Sequence, residues 1–145
     1  MEAASGTTDP IQCLKRLIPP KEQWTPVDTA LYAPKTFFFE YQKAQEYIFP
    51  AIRHTFKYHY ENNYLYHRIC EINGVTPEEI ILKEDLKKIP LLPDAFFKDY
   101  PDGKGFLNWL KTIFSGSLPK PDFKTDNPSH DEIIDIFGIH AGPFH

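Results

Sequence analysis

The sequence predicts a mainly α fold assembled from several short helices. Three observations carry that prediction. Apolar residues recur at helical spacing in one stretch after another, no stretch alternates convincingly enough for a strand, and fourteen prolines cut the chain into short lengths. The 145 residues are 41% apolar and include twelve Phe and eight Tyr, enough for the packed core of one ordinary domain. Disordered chains are too poor in such side chains to offset the entropy of ordering.

Residues 1–8, Met1 to Thr8, are small and polar and read as a flexible N-terminus. Asp9 and Pro10 fit the N-cap and first position of a helix with the stripe Ile11, Leu14, Leu17 and Ile18, stopped by Pro19-Pro20. Lys21 to Pro34 contains Pro26, Asp28 and Pro34 and reads as an irregular connection. Thr36 can cap the next helix, with Phe37, Phe38, Tyr41, Ala44, Tyr47 and Ile48 available to face inward. Pro50 has no N–H and its ring crowds the preceding turn, so it should bend or restart that helix. The pattern resumes through Ile52, Phe56, Tyr60, Leu65, Ile69 and Ile72. Asn62-Asn63 marks a break between two helices, and Gly74 suits the C′ position of the second.

Thr76-Pro77-Glu78-Glu79 has the residues of a capping box, with Pro at the first helical position. Ile80, Ile81 and Leu82 follow, then a short helix from Glu84 to Lys88 that Pro90 ends. Pro93-Asp94 turns the chain into Ala95, Phe96 and Phe97, and Pro101-Asp102-Gly103 is a further turn. Phe106, Leu107, Trp109, Leu110, Ile113 and Phe114 define an amphipathic helix ended by Gly116. Pro119 to Asn127 is polar and extended, with the best strand candidate near Phe123. Ser129 and Glu132 form a second capping box ahead of Ile133, Ile134, Ile136 and Phe137, and the pattern is lost from Gly138. The expected organisation is a helical region over 9–137 and a tail over 138–145.

The net charge of −4 and the dispersed basic residues, Lys15-Arg16 and Lys87-Lys88 among them, argue against nucleic acid as a partner. Cys13 and Cys70 supply no disulfide framework and no CxxC pair. No apolar run approaches the ~18 residues of a membrane span, and Met1 to Pro10 has no apolar signal core. The expectation is a cytoplasmic protein without a membrane span.

His67 and Cys70, three apart, share a helix face and could begin a zinc site, but zinc takes three or four ligands. His54 and His59, five apart, diverge, and His130, His140 and His145 are loosely spaced. Hydrogen-bonded histidines in an aromatic helix are the simpler reading. Nucleophilic catalysis needs a Ser or Cys, a base and an orienting acid, which meet in space rather than in sequence. No GxSxG elbow is present, and Cys70, among Tyr66, Ile69 and Ile72, reads as a small core residue. Ser5-Gly6-Thr7-Thr8 and Ser115-Gly116-Ser117-Leu118-Pro119-Lys120 have the look of phosphate loops. Asp9 would repel phosphate in the first, and the second is too short between its Gly and its Pro-Lys, so they read as a frayed terminus and a helix C-cap. No catalytic, cofactor-binding or metal-ligating residue is assigned.

One set of ordered motifs says more. Tyr58-His59-Tyr60-Glu61-Asn62-Asn63 leads to Tyr66-His67-Arg68-Ile69-Cys70, then Pro77-Glu78-Glu79-Ile80, Glu84-Asp85-Leu86-Lys87-Lys88-Ile89-Pro90-Leu91-Leu92-Pro93 and Phe96-Phe97-Lys98. This resembles the N-terminal region of the acyl-protein synthetase family, which activates fatty acids in bacterial luminescence. It is similar also to the start of phenylacetate–CoA ligases, with their Asp-Leu-x-x-(Ile/Leu)-Pro segment. The likeness spans roughly Phe38 to Phe97 and runs more faintly to Phe137.

The resemblance implies the N-terminal helical layer of an adenylate-forming α/β enzyme. In that family a carboxylate attacks the α-phosphate of ATP, giving acyl-AMP and pyrophosphate, and the acyl group passes to a thiol. ATP and Mg²⁺ serve the complete family. The phosphate loop, the nucleotide-binding acid, the C-terminal lysine and the acyl-accepting cysteine all lie beyond the matched segment, and Cys70 does not match the acceptor by position. The resemblance therefore implies a truncated chain, inactive alone, with the missing C-terminal portion or a reductase subunit as its partner. The alternative is a helical interaction module. Phe37-Phe38-Phe39 and Phe96-Phe97 cannot all face one core, because adjacent helical side chains diverge by about 100°, and exposed aromatics would dock on a partner.

Overall fold

The computed structural model describes residues 18–32, 40–118, 123 and 127–141, with side chains as far as Phe137. These residues are mainly helical, and no strand occurs among them. Phe123, the centre of the strand expectation, has no regular structure. Of the expected first helix, Asp9 to Ile18, only Ile18 is described, exposed and at a bend, and the Thr36 cap with Phe37 and Phe38 falls outside the described residues.

As far as Tyr32, the stretch expected to be irregular is largely helical. A single 3-10 turn, Lys21–Gln23, leads into helix α1, Pro26–Tyr32. The reason is local. The Thr25 N–H donates to the Asp28 carboxylate at 2.9 Å, and the Asp28 N–H donates back to Thr25 Oγ1 at 3.2 Å. Pro26 occupies the first helical position, where its missing N–H has no partner to lose. Residues that looked like breakers are a helix start.

Helix α2, Tyr41–Asn62, runs unbroken through Pro50, where a bend or restart was expected. Pro50 and Glu46, whose carbonyl loses its donor, are both exposed, so water can take the place of the missing bond. Phe49, Phe56 and Tyr60 face the core from this helix, while Tyr41, Ile48 and Ile52, expected inside, are exposed.

The break at Asn62-Asn63 is present as expected. Asn63 is extended (φ −125°, ψ 110°) and caps helix α3, Tyr64–Asn73, by accepting the Tyr66 N–H at 2.9 Å. Gly74 ends α3 at φ +65°, the left-handed region that glycine enters without Cβ strain. Its N–H donates to the Glu71 carbonyl and the Val75 N–H to that of Cys70, each at 3.0 Å, which closes a Schellman motif. Val75 and Cys70 are buried together, the apolar contact that accompanies this cap.

The Thr76 capping box holds a single 3-10 turn, Pro77–Glu79, in which the Glu79 carboxylate accepts the Thr76 N–H at 2.8 Å. The expected short helix from Glu84 to Lys88 is present as a second 3-10 stretch, Lys83–Lys88. Then come α4, Asp94–Lys98, and α5, Gly103–Ile113. Helix α6, His130–Ala141, starts where Ser129 Oγ accepts the Glu132 N–H at 3.2 Å. It continues beyond Gly138, where the apolar pattern ends, because a glycine inside a helix costs only about 1 kcal/mol and leaves the backbone bonding intact.

Among the described residues, two small cores result. Phe56, Cys70, Val75 and Ile80 form one, flanked by Tyr66, Leu86 and Ile89. Phe106, Ile133 and Phe137 form the other, flanked by Trp109 and Leu118.

Candidate functional site

The end of α2 and the end of α5 are tied together, and a cleft opens beside the knot. Asn63, only 7% exposed, does two jobs. While its Oδ1 caps α3, its Nδ2 donates to the carbonyls of Thr112 at 3.0 Å and Phe114 at 3.3 Å, at the C-terminus of α5. The Gly116 N–H donates to the Asn62 carbonyl at 2.9 Å, and Tyr58 Oη donates to the Ser115 carbonyl at 3.1 Å. Helix-end carbonyls have no partner within their own helix, and α2 supplies partners here.

The cleft has a volume of about 440 Å³. Leu65 and Tyr66 of α3, the Pro90–Leu92 segment, Phe96 and Phe97 of α4 and Ile113 of α5 make it largely apolar. Two hydrogen bonds set its walls. Tyr66 Oη donates to the Pro90 carbonyl at 2.8 Å, and Trp109 Nε1 donates to the Phe96 carbonyl at 3.1 Å. Burial, with the neighbouring Cys70 thiol, pushes the Tyr66 phenol up to about 12, so it remains a neutral donor. Burial also raises the Cys70 thiol, which is wholly enclosed, as its expected place in the core requires.

The polar end of the cleft is His59 with Ser115. His59 Nδ1 lies 2.6 Å from Ser115 Oγ, with the rings of Tyr58 and Tyr66 edge-on to the imidazole. Burial lowers the pKa of His59, which favours the neutral ring; in the tautomer with its proton on Nε2, Nδ1 accepts from the serine hydroxyl. The same imidazole and the Tyr66 ring border a second hollow of about 290 Å³, lined by Ile52, Thr55 and Ile89. They form the partition between the two.

No protein-family model, curated protein or solved structure matches the chain.

Among the described residues, the other histidine and cysteine candidates do not line this cleft. His54 is exposed, and His67 is spent on its own helices, with Nδ1 3.0 Å from the Tyr60 carbonyl and Nε2 3.5 Å from Glu71. Among the described residues no three His, Cys, Asp or Glu side chains are grouped to hold a metal ion. No described helix is long and apolar enough to cross a membrane. Ser5 to Thr8 lies outside the described residues. In Ser115-Gly116 the amide that a phosphate loop would aim at its ligand is bonded to Asn62 instead. Sequence reasoning weighed His59 and Ser115 separately and missed the pair. They are 56 residues apart, and no spacing rule connects them.

Proposed function

We propose that this chain is the helical N-terminal part of an ATP-dependent acyl-activating ligase of the acyl-protein synthetase type. A larger nucleotide-binding body makes the acyl-AMP and passes the acyl group to a thiol, and these helices line the acyl side. One observation carries the reading. Three of the segments behind the family resemblance, Tyr58 to Cys70, Glu84 to Pro93 and Phe96-Phe97, contribute to a single apolar cleft of about 440 Å³, while the fourth, Pro77 to Ile80, does not line it. Pockets of this size and character take the apolar part of a small ligand.

The test uses the purified chain and a fluorescent polyene fatty acid. Binding should saturate, strengthen with chain length and weaken roughly tenfold in Phe96→Ala, about 1.4 kcal/mol of lost apolar contact. The chain alone should give no ATP–pyrophosphate exchange with any carboxylic acid. Exchange above background, or no acyl-chain binding, would overturn the reading.

A second reading, a helical module that docks on a partner protein, is favoured by large apolar side chains at the surface. Leu91, Tyr64, Ile72 and Tyr41 are 88%, 83%, 80% and 79% exposed. Such surfaces mark association sites. A strictly monomeric chain in light scattering that binds no hydrophobic dye would count against docking.

A further inference from the structure

We propose that Ser115 and His59 are a nucleophile–base pair that accepts an acyl group from an activated acyl compound, a thioester or aryl ester whose apolar chain lies in the adjoining cleft. The two side chains are at hydrogen-bond distance, 2.6 Å, the contact through which a base takes a nucleophile's proton; the pair is a dyad, with the rings of Tyr58 and Tyr66 rather than an acid set against the imidazole. A hydrogen bond between Ser and His can also be a simple fastener. Here the fastening is done by other groups. Tyr58 Oη holds the Ser115 carbonyl, Asn62 holds the Gly116 amide, and Asn63 holds the Phe114 carbonyl.

The backbone turn supports the same assignment. Gly116 has φ +112°, and a Cβ there would lie 3.3 Å from Tyr58 Oη, so the position after Ser115 favours glycine. Ser115 is thereby held at the rim of a cleft whose other walls, Leu65, Leu92, Phe96, Phe97 and Ile113 among them, are apolar. A hydroxyl and a base at one end of an apolar slot suit a carbonyl carbon attached to a hydrocarbon chain.

The step balances without a further reagent. Ser115 Oγ attacks the carbonyl carbon and its proton passes to His59 Nδ1. The bond from carbon to the thiol or phenol breaks, and His59 returns the proton to the departing sulfur or oxygen. The step uses no ATP and no second body; it rests on the same apolar cleft as the ligase reading but not on adenylate chemistry, so Ser115 labelling and ATP–pyrophosphate exchange test the two separately.

The experiment incubates the full chain with p-nitrophenyl acetate, butyrate, hexanoate and octanoate. Phenol release and intact mass are followed, and the modified residue is mapped by peptide mass spectrometry. The expected result is one acyl group per chain, on Ser115, faster for octanoate than for acetate. The rate should exceed the uncatalysed reaction by ~10²–10⁴, the range general base catalysis supplies. Ser115→Ala and His59→Gln should abolish this labelling, while Ser117→Ala should keep it. Should Ser115→Ala lose its fold, Ser115→Cys decides, because a thiol at this position should also be acylated there. Equal labelling of a folded Ser115→Ala, an acyl group on another residue, or no labelling of the wild-type chain would overturn the assignment.

Discussion

Replacing Asn63 with alanine removes three hydrogen bonds from one buried point. The Oδ1 bond to the Tyr66 N–H caps α3, and losing such a cap costs about 1 kcal/mol. The two Nδ2 bonds satisfy the Thr112 and Phe114 carbonyls, and leaving partners without a donor costs about 1–3 kcal/mol. Together these predict a loss of about 2–4 kcal/mol, a large share of the stability of an ordinary domain. Asn63→Asp separates the parts. It retains an acceptor for the cap but turns an oxygen toward the two carbonyls, so α3 should persist while the tie to α5 fails. The assay is urea unfolding followed by circular dichroism, with hydrogen exchange at the Gly116 amide, which bonds to Asn62 across the same junction. Faster exchange there in both variants is expected. An Asn63→Ala protein within 0.5 kcal/mol of wild type, or an Asn63→Asp protein with unchanged Gly116 exchange, would refute the claim that this side chain joins the two helix ends.

Two further predictions concern local devices. The Asp85 carboxylate pairs with Lys88 and accepts the N–H groups of Leu82 and Ile81, which hold its pKa down to about 2. Its folded-state pKa lies below the ordinary value, so its contribution is complete above about pH 4 and is lost as pH falls towards 2. In melting curves between pH 5 and 2, Asp85→Asn should flatten part of the acid destabilisation. An unaltered slope would contradict the bonding. Gly74→Ala should destabilise by about 1–2 kcal/mol, because φ +65° is strained for any Cβ although open space surrounds the position. Calorimetry would detect the change, and an unchanged melting temperature would count against the left-handed cap.

Much of the helical framework was legible because its signals act over a few residues. Asn63 at the break, Gly74 past the end of α3 and Ser129 ahead of α6 each bond to backbone within about one turn, so residue type and offset were enough to place them. The same locality explains the mistake at Pro26 and Asp28. A proline and an acid serve a helix start as well as a turn, and the reciprocal bonds of Thr25 and Asp28 chose the start. Pro50 misled differently. Its penalty is real but exposure lets water absorb it, and exposure belongs to the packed molecule.

Sequence therefore determined that the described chain is mainly helical, where α3 and α6 begin, and that Cys70 lies in a core. Only tertiary structure decided which apolar faces are covered, leaving Tyr41 and Ile72 outside, and that His59 meets Ser115 beside an apolar cleft. The physical reason is range. Helix periodicity and caps are hydrogen-bonding events between near neighbours in the chain. A contact across 56 residues depends on how separate helices pack, which no local pattern records.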